Sequence, residues 1–98
     1  MTTIKTKTDL LKLHPKDNVA VALHPIAKDS QLVFEDQVYF FEEDIPQGHK
    51  IALVDLNQGA HVIKYGYPIG HLLSDVKAGQ WLHTHNVKTN LSGTLSYT

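Results

Sequence analysis

Short apolar runs alternate with turn-forming residues along most of the chain. The runs are rich in β-branched and aromatic residues and have the length of strands, and Gly, Pro, Asn or Asp residues lie between them. No segment of helical length shows the 3.6-residue periodicity of an amphipathic helix. The pattern therefore predicts a mainly β fold with many short strands and little or no helix. The predicted strands are 19–23, 31–34, 38–41, 50–54, 60–65 and 80–85.

Turn chemistry adds detail to this prediction. Glu35–Gln37 separates two strand-like runs and indicates a β-hairpin. After Tyr65, the residues Gly66, Pro68 and Gly70 exclude a helix. Residues 1–9 are polar and predict a flexible N-terminal lead-in, so we expect a single domain over residues 10–98.

A weak internal repeat precedes three of the predicted strands. Its copies are Asp44–Gly48, Asp55–Gly59 and Asp75–Gly79, each with an acid, an aliphatic residue, two variable positions and a glycine. We expect the aliphatic residue to enter the core and the glycine to adopt positive φ. The acid is expected to accept backbone N–H bonds within its own turn. These residues are therefore interpreted as structural, and the repeat predicts a sheet bent by tight turns into a folded-over unit.

Composition narrows the class of function. A chain of 98 residues can form a thin core but not a deep catalytic cleft with a lid. Its formal net charge of −1 provides no basic field for nucleic acid, and no apolar run is long enough to cross a membrane. The chain has no cysteine, which excludes disulfides and thiolate chemistry, and its N-terminus lacks a secretory signal. We therefore expect a cytoplasmic protein.

Residues 79–86 are the most informative segment for function, because they contain His83 and His85 within a predicted strand. Successive side chains of a strand point to opposite faces, so the two imidazoles are expected on the same face. There they could share a metal ion or contact an anionic ligand. The alternative is two surface histidines without a ligand.

Three segments in a fixed order resemble a known family. Residues 44–53, 62–70 and 83–88 resemble the N-terminal module of the altronate/galactarate dehydratase family, and residues 15–23 also fit. The resemblance extends from about His14 to Asn90. The chain departs from the family pattern at residues 26–30, which lack the usual glycine, and at His71–Leu73.

The resemblance implies an SAF domain with a β-clip fold. Enzymes of this family remove water from sugar acids to give 2-keto-3-deoxy products, and they depend on a divalent metal such as iron or manganese. The module is fused to a large catalytic domain in some members and is a separate small subunit in others. At 98 residues this chain resembles the separate form. It is thus expected to be inactive in isolation, with a large catalytic subunit that holds most of the metal ligands.

The candidate site consists of polar residues at the ends of the predicted strands, as expected for substrate contacts. They are His49, Lys50, Lys64, Tyr65, His83, His85 and Asn86, and His83 and His85 are also candidate metal ligands. Imidazole and ammonium groups can hold a carboxylate and stabilise the enediolate that dehydration forms. Simpler interpretations are that the lysines are solvated, Tyr65 is a packing residue and His49 bonds its own turn. No complete catalytic constellation is present, so no residue is predicted to be catalytic.

Two other functions compete with a dehydratase small subunit. One is a stand-alone SAF module that binds a carbohydrate or an acidic ligand. The other is the small subunit of an enzyme like sulfolactate sulfo-lyase, which releases sulfite. The sequence leaves open the hydroxy-acid substrate, the metal, the isomeric state of the prolines and whether the chain also forms a homo-oligomer.

Overall fold

The computed structural model describes residues 9–89, which form nine strands and no helix. The predicted mainly β fold is therefore confirmed. The described segment has no helix that is long and apolar enough to span a membrane. Most of the predicted lead-in and residues 90–98 lie outside the described residues. The strands are β1 (Leu10–Leu11), β2 (Val19–Ala22), β3 (Gln31–Phe34), β4 (Gln37–Phe40), β5 (Lys50–Ala52), β6 (His61–Lys64), β7 (Tyr67–Leu72), β8 (Trp81–Leu82) and β9 (Val87–Thr89).

All strand pairs are antiparallel and form three sheets. The central sheet has four strands in the order β1-β2-β5-β8, the hairpin β3-β4 forms a second sheet, and β6-β7-β9 forms a third. The hairpin prediction is confirmed, with a turn of two residues, Glu35 and Asp36, at φ angles of 51° and 66°. Gln37, which was predicted in the turn, already belongs to β4.

The central sheet separates two apolar cores, because alternate residues of a strand face opposite sides. Ala20 and Ile51 belong to the first core, which the β3-β4 hairpin covers through Tyr39. Val19 and Ala52 belong to the second core, together with residues of β6 and β7. Side chains on β5 and β8 therefore project to one core or the other according to their position in the alternation.

The repeat forms the corners of the fold. Gly48, Gly59 and Gly79 all have positive φ, at 85°, 89° and 91°, as predicted. The aliphatic residues pair across two corners, in the isolated bridges Ile26–Ile45 and Leu56–Val76.

A fourth corner, at residues 26–29, does not carry the glycine of the other three. Asp29 adopts a φ of 70° at the position where the other corners have glycine. Aspartate tolerates this left-handed conformation better than most residues, which explains how the departure from the family pattern is accommodated.

The acids of the repeat bond to the opposite corner and not to their own turn, so that part of the prediction is wrong. Asp44 Oδ1 accepts the backbone N–H of Lys28, and Asp75 Oδ1 accepts that of Gln58, both at 2.8 Å. Asp55 Oδ1 in turn accepts the N–H of Ala78 at 2.8 Å. Two corners that are joined by an aliphatic bridge lie side by side. Each carboxylate therefore lies next to backbone N–H groups of the neighbouring corner, although the two corners are far apart in sequence.

The structure also corrects the strand predictions. Strand β7 was not predicted, because Pro68 and Gly70 suggested only a turn. It is accommodated by an irregularity in its register opposite Val62 and Ile63. Strands β1 and β9 were also not predicted. The predicted strand 80–85 is wrong beyond Leu82, where β8 ends.

Candidate functional site

His49 and His83 lie side by side at the end of two paired strands. In the register of β5 and β8, Lys50 is opposite Leu82 and Ile51 is opposite Trp81. The next position of this register places His49 opposite His83, on the same face as Ile51 and Trp81. Their ring centroids are 4.7 Å apart. The pairing brings together two predicted site residues that are distant in sequence.

Trp81 lies at the centre of the aromatic group. Its indole Nε1–H donates a hydrogen bond of 3.0 Å to Nδ1 of His49. Its ring stacks on His83 at a centroid distance of 5.7 Å and contacts His85 at 5.2 Å. We call His49, Trp81, His83 and His85 the imidazole cluster. Because Nδ1 of His49 accepts a hydrogen bond, its neutral ring carries the proton on Nε2 and can donate it to a ligand.

A turn, and not a continuing strand, places the last two histidines. The backbone N–H groups of Asn86 and Val87 both donate to the carbonyl of His83, which closes a turn over residues 83–86. The predicted reason for a shared face, strand alternation, is therefore wrong. Both imidazoles nevertheless contact the same indole, and both residues are exposed. The two imidazoles therefore lie next to each other, and their role in binding a shared ligand stays a prediction.

Asn86 shapes this turn from within. It is buried, its Oδ1 accepts the N–H of His83 at 2.9 Å, and its Nδ2 donates to the carbonyl of Trp81 at 2.9 Å. Both ends of its amide are thus engaged with the segment that carries the histidines. Asn86 orients the imidazole cluster, while its predicted contact with substrate stays a prediction.

Lys50 lies near His83 of the imidazole cluster, and Lys64 lies near Lys50. Lys64 is buried, and its Nζ lies 5.1 Å from the ring centroid of Tyr65. Burial lowers the pKa of Lys50, and the nearby charge of Lys64 lowers it further. Among residues 9–89, the ion pair that the structure contains joins Lys12 and Glu35, so neither Lys50 nor Lys64 is neutralised by a described carboxylate. We call Lys50 and Lys64 the lysine pair.

Tyr65 is held in a strained backbone conformation by Asp17. Tyr65 has a φ of 58°, and its backbone N–H and that of Gly66 donate to the buried Asp17 carboxylate at 3.1 and 2.8 Å. A non-glycine residue in this region is uncommon and marks an imposed geometry. Asp17 therefore fixes the turn that carries Tyr65 and follows Lys64.

The lysine pair and the imidazole cluster are electrostatically connected. Partial desolvation lowers the pKa of His83, and the charges of His49, Lys50 and His85 lower it further. A lowered pKa means that protonating His83 destabilises the folded state. Its contribution to stability is therefore complete above the ordinary value of 6.5 and is lost as the pH falls through the lowered pKa. A bound anion would relieve this mutual repulsion.

Removal of the Lys50 charge should raise the pKa of His83 toward 6.5, since one cation that opposes protonation is gone. The measurement is an NMR titration of the His83 ring protons in the wild-type chain and in Lys50→Met. Lys28→Met, which removes an exposed lysine from another corner, is the control and should leave the titration unchanged. An identical His83 titration in Lys50→Met would show that the two groups do not interact.

The structure thus places four of the seven predicted site residues, His49, Lys50, His83 and His85, near one another. Lys64 and Tyr65 adjoin this group only through Lys50, and Asn86 lies within the turn. Trp81 was not predicted as a site residue, although it lies in the same segment as His83 and His85. An aromatic residue two positions before a histidine was the available signal, but only the pairing of β5 with β8 shows that it contacts three imidazoles.

The described residues do not form a metal site. Residues 9–89 contain no group of three or more His, Cys, Asp or Glu side chains that could hold a metal ion. In addition, Nδ1 of His49 is already occupied by the Trp81 N–H. Any metal bound by His83 or His85 would require further ligands from another polypeptide. The arrangement is better suited to hold an anion, because it presents cations and N–H donors, and no described carboxylate forms an ion pair with Lys50.

Comparison with known proteins agrees with this architecture. The family model for the altronate/galactarate dehydratase SAF domain matches residues 8–90. The chain is 48% identical over 82 residues to altronate dehydratase of Escherichia coli strain K12 and 43% identical over 82 residues to that of Bacillus subtilis strain 168. Each match covers 84% of this chain but only 17% and 16% of those relatives.

For a second kind of relative, the match covers most of the relative's own length. The chain is 52% identical over 46 residues to the (2R)-sulfolactate sulfo-lyase subunit alpha of Paracoccus pantotrophus, a match that covers 47% of this chain and 69% of that subunit. The family match includes every element of the described structure, from β1 to β9. The chain therefore belongs to the family of altronate/galactarate dehydratase SAF domains.

Proposed function

We propose that this chain is the small subunit of a sugar-acid dehydratase of the altronate type, and that it acts only together with a large catalytic polypeptide. In this proposal, the imidazole cluster and the lysine pair bind the acidic substrate and close one side of the active site. The chain spans about a sixth of the length of the altronate dehydratases that it matches. The remaining length in those relatives can accommodate the catalytic machinery that this chain lacks.

The observation that carries the proposal is a group of cations without a matching acid. Lys64 is buried, Lys50 is half-buried, and no described carboxylate forms an ion pair with either. Burying a charge without a partner is costly, so this arrangement favours a ligand that supplies negative charge. The carboxylate of a sugar acid supplies it.

The same groups suit the chemistry of dehydration. Removal of the proton next to a carboxylate turns that group into an enediolate, which carries more negative charge than the substrate. In this proposal, Lys50, Lys64 and the Nε2–H of His49 stabilise this additional charge, and the Trp81 hydrogen bond orients the His49 ring beforehand. The base that removes the proton, and the divalent metal expected from the family, are assigned to the catalytic polypeptide.

The test is to co-express this chain with a large dehydratase-like polypeptide from the same genome and to assay 2-keto-3-deoxy acid formation from altronate and galactarate. We expect the two chains to co-purify and activity to require both. A large polypeptide that is fully active alone, or that fails to co-purify with this chain, would refute the subunit proposal.

A sulfo-lyase subunit is the second candidate, and a specific observation favours it. The match to the sulfo-lyase subunit alpha covers 69% of that protein, whereas the matches to altronate dehydratases cover about a sixth of theirs. The same reconstituted pair should be offered sulfolactate. Release of sulfite without dehydration of sugar acids would replace our first proposal with this one. Tight binding of sugar acids by the isolated chain would instead favour a stand-alone binding module.

A further inference from the structure

The β3-β4 hairpin exposes an apolar face to solvent. Val33 and Val38 are paired across the hairpin and are 74% and 64% exposed. Phe40 lies two positions along β4 from Val38, on the same face, and is 48% exposed. The opposite face of the hairpin packs on the first core through Leu32, Phe34 and Tyr39. We call Val33, Val38 and Phe40 the hairpin face.

The hairpin face borders a groove whose last lining residue, Gln80, directly precedes Trp81 of the imidazole cluster. An open groove of about 470 Å³ runs from Phe40 past Glu43 to Gln80. Glu43 also accepts the backbone N–H of Trp81 through its Oε2, at 3.4 Å. Phe40 thus belongs to both the hairpin face and the groove, and Glu43 connects the groove to the backbone of Trp81.

Acidic residues border this surface. Asp36 lies at the tip of the hairpin, and Glu42 follows β4 at the edge of the groove. Both are exposed, and neither forms an ion pair with any described residue. Lys77 contributes one positive charge to the groove. A partner surface with an apolar centre and a basic border is thus complementary to this side of the chain.

We propose that the hairpin face is the docking surface for the catalytic polypeptide, which extends from there over the groove and closes the imidazole cluster. This inference rests on the proposed function. It identifies the part of the chain that binds the catalytic polypeptide. That surface is distinct from the residues that are proposed to contact substrate. Two adjoining surfaces then have different tasks: the hairpin face provides affinity, and the imidazole cluster provides substrate contacts.

The test compares Val38→Lys with wild type in the co-expressed pair. A buried interface residue of this kind is expected to weaken binding of the large polypeptide by at least about 30-fold when a charge replaces it. Since the imidazole cluster is untouched, kcat should return to the wild-type value when the large polypeptide is supplied in excess. Leu11→Lys, at an exposed position of β1, is the matched control and should bind normally.

Circular dichroism of the isolated variants shows whether they fold, and Val33→Lys is the second variant if Val38→Lys does not. Wild-type affinity in a folded hairpin-face variant would overturn the docking proposal and leave the proposed function intact. A dimer of the isolated chain that Val38→Lys dissociates, with unchanged binding of the large polypeptide, would also overturn it. A wild-type chain that does not bind the large polypeptide would overturn both proposals.

Discussion

Replacement of His83 by alanine should lower kcat/KM of the reconstituted dehydratase roughly 30- to 1000-fold, the effect of removing one fixed group that stabilises developing charge. His83 stacks on Trp81, lies 4.7 Å from the His49 ring and is electrostatically coupled to Lys50. It is therefore the residue that connects the imidazole cluster with the lysine pair. The measurement is steady-state kinetics of sugar-acid dehydration, with co-purification as a check that the complex still forms.

The control for this prediction is His24→Ala. His24 is exposed, lies just before the corner at residues 26–29 and has no described contact with a member of the imidazole cluster. Its removal should leave kcat/KM within about twofold of wild type, as expected for a surface substitution. If His83→Ala has wild-type kinetics in an intact complex, the site assignment is wrong, although membership of the family is unaffected.

Replacement of Gly79 by alanine should destabilise the folded chain by about 2–4 kcal/mol. Gly79 has a φ of 91°, which costs an L-residue free energy at any position. A Cβ atom at this position would also lie 2.8 Å from the backbone carbonyl oxygen of Phe40. Because that oxygen belongs to the main chain, the clash can be relieved only by moving the β3-β4 hairpin or the corner. Urea unfolding followed by circular dichroism measures the change.

Gly48 provides a matched control for this second prediction. It occupies the same position of the repeat with a φ of 85°, but a Cβ there would meet nothing within 4 Å. Gly48→Ala should therefore show only the conformational cost, about 1–2 kcal/mol. Equal destabilisation by the two substitutions would mean that the close approach to Phe40 has no energetic effect.

The conformation of the corners could be predicted from the sequence, but the hydrogen bonds between corners could not. Glycines and aliphatic residues at fixed spacing define each corner locally, since positive φ and core insertion depend on the residue itself. The bonds of Asp44, Asp55 and Asp75 could not be predicted in the same way. Each of these carboxylates accepts a backbone N–H from a corner that is distant in sequence. The carboxylate and that N–H become neighbours only because the two corners pack together.

In the candidate site, too, the choice of residues could be predicted from the sequence, but their geometry could not. His83 and His85 were selected because of their spacing, and they do meet on one indole, but through a turn held by Asn86 and not through strand alternation. Strand β8 ends at Leu82. A two-residue strand gives too weak a pattern for its end to be located from sequence.

The sequence by itself determined the fold class, the corners and the family, because strand patterning, turn glycines and ordered motifs are local properties of the chain. Tertiary structure alone decided that His49 and His83 are cross-strand neighbours and that Trp81 contacts three imidazoles. It also decided that Lys50 lies near Lys64 without a described carboxylate as partner. The physical reason is that register and burial depend on contacts between segments far apart in the chain, which no local pattern records.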